Sequence, residues 1–251
     1  MFAFIRGWAD VDRTTKANVR LGAVLAFVAG AANAGGFLAV GQYTSHMTGI
    51  VSRVADDLVL GNVTLAIAGL GALTAFTMGA MTTAAMVNWG LRRHLRSAYS
   101  LPLVVESAAL LVFGFFGAAI DLLTPLFMPL TIVLLCFIMG LQNAVITKIS
   151  RAEIRTTHIT GLVTDLGIEL GKLLYLNRSK VRVPVRADRK RLQLQTLLIS
   201  AFFGGGLLGA LGFKHLGYVT TVPLAVLLGL LALRPLLDDW RARAAAHHEN
   251  P

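Results

Sequence analysis

Two blocks of hydrogen-bonding residues interrupt sequence that is otherwise strongly apolar. The first comprises Asn33 and Thr44-Ser45-His46-Met47-Thr48-Gly49; the second comprises Gln142-Asn143 and Thr156-Thr157-His158-Ile159-Thr160-Gly161. An asparagine amide carries two donors and an acceptor, and threonine carries a hydroxyl. Hydrocarbon satisfies none of these groups, so they must bond to each other, to backbone or to a solute. The candidate solute-binding residues are therefore Asn33, Thr48, Gly49, Gln142, Asn143, Thr157, Thr160 and Gly161. His46, His158 and Glu106 are the candidates for coupling, Glu106 because acids inside membrane segments are commonly functional. Plainer roles stand beside these: asparagines that only hold helices together, interfacial histidines, and an ion pair between Glu106 and nearby Arg96. Asp56, Asp57 and Glu169 read as solvated caps, and Asp165 shares an amphipathic stretch with Lys172.

Catalytic constellations are missing. No phosphate-binding loop, nucleophile elbow or zinc-protease motif occurs, and Gly204-Gly205-Gly206 follows no strand, so a dinucleotide site is not expected. Within each block the histidines lack metal-site spacing. Cys136 is the single cysteine, which precludes an intrachain disulfide. Neither an enzyme, a cofactor nor a metal site is expected.

The elements that position these residues are set by composition. The chain has 251 residues, 55% of them hydrophobic and only 14% charged. Long windows lack any charge and match a hydrocarbon core about 30 Å thick. Their apolar residues do not alternate, which favours helices over a barrel. The reading is an all-α, polytopic membrane protein with about six spans: Leu21 to about Gly41, Val63–Val87, Leu101–Ile120, Pro125–Ile146, Thr196–Phe213 and Tyr218–Leu237. Thr160–Leu176 reads as an amphipathic helix, and residues 177–195 as a basic cytoplasmic loop. The whole, 1–251, is one membrane domain. Its partners are the lipid bilayer and a small solute; a dimer is one option for its oligomeric state.

The net charge of +10 invites a nucleic-acid reading, but the basic residues sit in short stretches between apolar runs, so no nucleic-acid partner is expected. Placing both termini in the cytoplasm puts 21 of the 23 Lys and Arg inside, as the positive-inside rule requires. Ala32-Asn33-Ala34 resembles a signal-peptide cleavage site. Its recurrence around Asn143 favours an uncleaved first span.

The two blocks recur at offsets of 110 and 112 residues. This predicts a duplication, with repeat one at about 21–120 and repeat two at about 125–237. Three spans per copy would invert the second copy, a plan that secondary transporters use for alternating access. The Thr-Gly steps at 48–49 and 160–161 are expected to begin short helices, with Thr48 or Thr160 as cap. Asn33 and Asn143 are expected to face each other, a cavity or a ligand.

The same stretches, Leu25–Gly41 with Thr44–Gly49 and Gly140–Asn143 with Thr156–Gly171, resemble the YoaK family of bacterial inner-membrane proteins. The most specific piece is Met47-Thr48-Gly49. Two positions depart from the family: Asn33 stands where an acid is common, and Ile50 where Asn is common. The family is catalogued as a domain of unknown function and regarded as transporters, so the resemblance implies transport and names no substrate. The leading expectation is a secondary transporter or exporter of a small solute in the inner membrane. A passive channel and a non-transporting scaffold or sensor are the alternatives.

Overall fold

The computed structural model describes residues 8–11, 14–120, 122–150, 154, 156–177 and 184–248, with backbone only for 245–248. Asp121 and, from the basic stretch, Arg151, Arg155, Arg178, Lys180 and Arg182 lie outside the described residues. Among those described, the chain is helical and has no strand. Its helices are α1 (Thr15–Val40), α2 (Met47–Val59), α3 (Val63–Arg92), α4 (Ser100–Ala119), α5 (Thr124–Ser150), α6 (Ile159–Leu174), α7 (Arg189–Leu216) and α8 (Thr221–His248).

Five stretches are long and apolar enough to cross a membrane: α1, α3, α4, α5 and Arg189–Ala244. The fifth spans 56 residues, which as one helix would reach about 84 Å. It is divided at Gly217, whose φ of 62° is readily adopted only by glycine. A 3-10 turn, Gly217–Thr220, then leads into α8. The outward surfaces of α3 and α4 carry Leu65, Ile67, Met78, Met81 and Phe115, all more than half exposed. An apolar exterior this extensive suits lipid rather than water. The chain is a helical membrane protein.

α1 is the central element. From Leu21 onward it is almost wholly apolar and buries Leu21, Leu25, Val28, Ala31 and Ala32, as a helix packed on several sides should. It runs antiparallel to α5: the Gln142 side-chain amide donates to the Leu25 carbonyl at 3.1 Å, while Gly36 faces Leu135. It runs parallel to α7, with Gly22 against Leu198 and Gly35 against Phe213. α3 runs parallel to α5, where Thr83 Oγ1 donates to the Leu141 carbonyl at 3.0 Å and Lys148 Nζ to Asn88 Oδ1 at 2.9 Å.

The two parallel pairs use one device. Phe27-x-x-Gly30 of α1 meets Phe202-x-x-Gly205 of α7, and Phe137-x-x-Gly140 of α5 meets Phe76-x-x-Gly79 of α3. In each pair, a Cβ on either glycine would collide with the opposite phenylalanine's carbonyl oxygen. Backbones in contact at small residues are the common way to pack helices where no hydrophobic drive acts between them.

One expectation about boundaries is corrected. Residues 177–195 do not form a single loop, because α7 begins at Arg189. The Asp188 carboxylate caps it, accepting from the backbone N–H of Lys190 at 2.9 Å and of Arg191 at 3.3 Å. Aspartate is a strong N-cap, and the Arg, Lys, Leu and Gln that follow are good helix formers.

Candidate solute-binding site

α1 stops at Gly41, which takes a left-handed φ of 71° and donates its N–H to the Phe37 carbonyl. The turn then folds back beside α1. Ser45 Oγ donates to Asn33 Oδ1 at 3.0 Å, and the Ser45 N–H adds a weaker contact at 3.4 Å. The second half repeats this arrangement: Thr157 Oγ1 donates to Asn143 Oδ1 at 2.6 Å, and Asn143 Nδ2 donates to the Met139 carbonyl at 2.8 Å. Of the alternatives expected for the asparagines, Asn33 faces a cavity, and each asparagine also pins the return segment of its own half.

The return segments lead into the short helices α2 and α6. Their N-caps are His46 (φ −93°, ψ 70°) and His158 (φ −82°, ψ 57°), a closely matched pair. Thr48 and Thr160 do not cap; each is the second residue of its helix. Gly49 has a local task, since a Cβ there would strike the His46 ring. The bare glycine lets the imidazole fold over the first turn of α2.

A cavity of about 610 Å³ lies between the two N-termini. From the first half it is lined by Asn33, Tyr43, Ser45, His46, Met47 and Thr48, and from the second by Thr157, His158, Ile159, Thr160 and Gly161. Phe76 and Phe202 complete it. Both sit at mid-length in their helices, so the cavity lies midway along α3 and α7. Among the described residues, no Asp, Glu, Lys or Arg lines it. Hydroxyls, imidazoles and an amide are what a bound solute would meet, which is recognition by hydrogen bonding in a largely apolar chamber.

Residues 21–234 match the family described as a protein of unknown function, DUF1275. The chain belongs to that family. No curated protein and no solved structure matches it. The DUF1275 region contains both short helices and every residue that lines the cavity.

Four sequence candidates lie off this chamber. Asn143 stands behind Thr157, and Gly49 beneath His46. Gln142 is fully buried and ties α5 to α1. Glu106 is fully buried in α4, with neither carboxylate oxygen bonded. The alternative of an ion pair with Arg96 is also corrected, because the Arg96 side chain pairs with Asp10 at 3.8 Å. α4 turns Glu106 inward, whereas Arg96 lies in the preceding loop.

Of the three acids expected as solvated caps, Asp56 is exposed, whereas Asp57 and Glu169 are buried and bond to the residues that precede α3 and α7. Asp57 accepts from Asn62 Nδ2 at 3.2 Å, and Asn62 is the N-cap of α3. Glu169 accepts from Lys172 Nζ and from the backbone N–H of Asp188, the N-cap of α7, both at 2.8 Å. The Lys172 hydrogen bond, and after it the Asp188 N–H, hold the Glu169 carboxyl below its usual range. Asp165 is not the partner of Lys172. Ser45, Phe76 and Phe202 were missed as site residues. The recurring Phe-x-x-Gly spacing is the signal that marks the two phenylalanines.

Proposed function

We propose that this DUF1275 protein moves a small solute across a membrane by alternating access, binding it in the cavity between α2 and α6. The observation that carries the reading is that both copies of the Thr-x-His-x-Thr-Gly block line one chamber at mid-length in the long helices. Inverted-repeat transporters place their sites near the midplane, at helices that are broken or short.

In this reading α1–α4 and α5–α8 form an inverted repeat with six crossings, α7 and α8 each crossing once. Support comes from the antiparallel run of α1 and α5, the matched Asn33–Ser45 and Asn143–Thr157 bonds, and the bonds from Asp57 to Asn62 and from Glu169 to Asp188 at the starts of α3 and α7. Both termini are cytoplasmic in this reading, which the distribution of Lys and Arg supports. A bacterial inner membrane is part of the same reading, and the resemblance to the YoaK family is its support.

Flux in proteoliposomes across a solute panel tests the proposal. Saturable flux that is lost in Thr48→Val and Thr160→Val supports it. Conductance without saturation identifies a channel instead, and absence of flux from folded protein favours the scaffold.

A further inference from the structure

A second cavity, of about 470 Å³, adjoins the first in the groove between α1 and α7. The two share Asn33, Tyr43, Ile159 and Phe202. Beyond Asn33 and Tyr43, every residue lining the groove is apolar or glycine. Its outer rim is open: Phe37, Leu38, Phe203 and Leu207 are 42%, 54%, 71% and 53% exposed. Phe37 and Tyr43 stack at 4.7 Å between ring centroids, where groove and central chamber meet. Apolar, exposed walls therefore lead directly to hydroxyls and imidazoles.

We infer that the solute is an amphiphile, its polar end held in the central cavity and its apolar part in the α1–α7 groove, which it reaches sideways from the lipid. This rests on the proposed binding site. A lipid-facing helix needs only a convex apolar surface, such as Leu111 and Phe115 give α4. A concave groove that ends at hydrogen-bonding groups instead matches a molecule with two unlike ends.

The corresponding positions of the other half are polar. At the 110-residue offset, Phe37 and Leu38 correspond to Thr147 and Lys148. Thr147 Oγ1 donates to the Asn143 carbonyl at 2.6 Å, and Lys148 is bonded to Asn88. A tail entering at those residues would meet polar groups, unlike the apolar rim on the α1–α7 side. In the proposed orientation that side faces the outer leaflet.

Gly206 provides the test, because it lines the groove and the sole heavy atom near its missing Cβ is the Gly30 carbonyl oxygen, at 3.7 Å. Gly206→Phe fills the groove with little backbone conflict. Gly204→Phe, which has nothing within 4 Å, serves as the control on the same helix. Full-length protein in phosphatidylcholine vesicles would be photolabelled with a diazirine-bearing medium-chain carboxylic acid and the labelled peptides mapped. Label concentrated on Phe37, Phe203 and Leu207 is expected, falling about tenfold in Gly206→Phe, equivalent to about 1.4 kcal/mol, and unchanged in Gly204→Phe. Equal label on Leu111 and Phe115, or label undiminished by Gly206→Phe, overturns the inference. So does a diazirine phospholipid that occupies the groove and is not displaced by the free acid. Saturable flux of a fully polar solute that survives Gly206→Phe also overturns it, while leaving the central site standing.

Discussion

Thr157 donates a 2.6 Å hydrogen bond to Asn143, as Ser45 does at 3.0 Å to Asn33 in the other half. These bonds hold the segments that bring His46 and His158 to the chamber. Asn33→Leu and Asn143→Leu are each expected to abolish transport while lowering stability by only about 0.6–2 kcal/mol, the range for polar contacts between membrane helices. Asn33→Asp keeps the acceptor and is expected to keep the return turn. Uptake normalised to folded protein is the measurement. Unchanged specific uptake in either leucine variant would reduce the asparagines to structural glue.

The Phe-x-x-Gly crossings are expected to be intolerant of any side chain. Gly30→Ala and Gly140→Ala push a methyl into a carbonyl oxygen, and overpacking of this kind costs about 1–3 kcal/mol. Gly71→Ala, within a helix and facing open space, is expected to stabilise by up to about 1 kcal/mol. Thermal unfolding in detergent separates the cases, and equal melting temperatures for all three would refute the close crossing.

Much of this architecture is legible in sequence. Loss of charge marks the long helices, and the repeated blocks locate the chamber because a membrane tolerates few polar residues without purpose. Other features depend on three-dimensional placement. Thr48 and Thr160 look like caps by propensity, yet the return turns place His46 and His158 at the caps, two residues earlier. Asn33 and Asn143 are alike in sequence, but each finds a partner only 12 or 14 residues onward. Glu106 looks close to Arg96 along the chain, but helix phase sends them different ways. The α1–α7 groove has no motif, since its walls come from two helices far apart in sequence.

Glu169 should make the α6–α7 junction acid-sensitive. Its carboxyl lies below the ordinary value of 4.5, so its contribution is fully present above that value and is lost as pH falls through the lowered one. Hydrogen exchange at the Asp188 amide is expected to accelerate only in acid, below pH 4.5, and Glu169→Gln should flatten that dependence. The same acid transition in the Gln variant would show that another group is responsible.

Arg186, Arg189, Lys190 and Arg191 border the start of α7 and are all exposed. Changing all four to Gln is expected to weaken association with anionic lipid by about 1 kcal/mol per residue, an effect that salt should mask. Transport should be nearly unchanged. Collapse of uptake in a correctly inserted variant would make this segment part of the pathway.

The most direct test of the central chamber is flux before and after thiol modification of Thr160→Cys, in a Cys136→Ala background. Thr160 lines the chamber, and Cys136 is buried and would be the only other thiol. Modification by a membrane-impermeant methanethiosulfonate should abolish saturable flux, and prior loading with solute should slow the reaction. Full modification with undiminished flux would contradict a solute path through the space between α2 and α6.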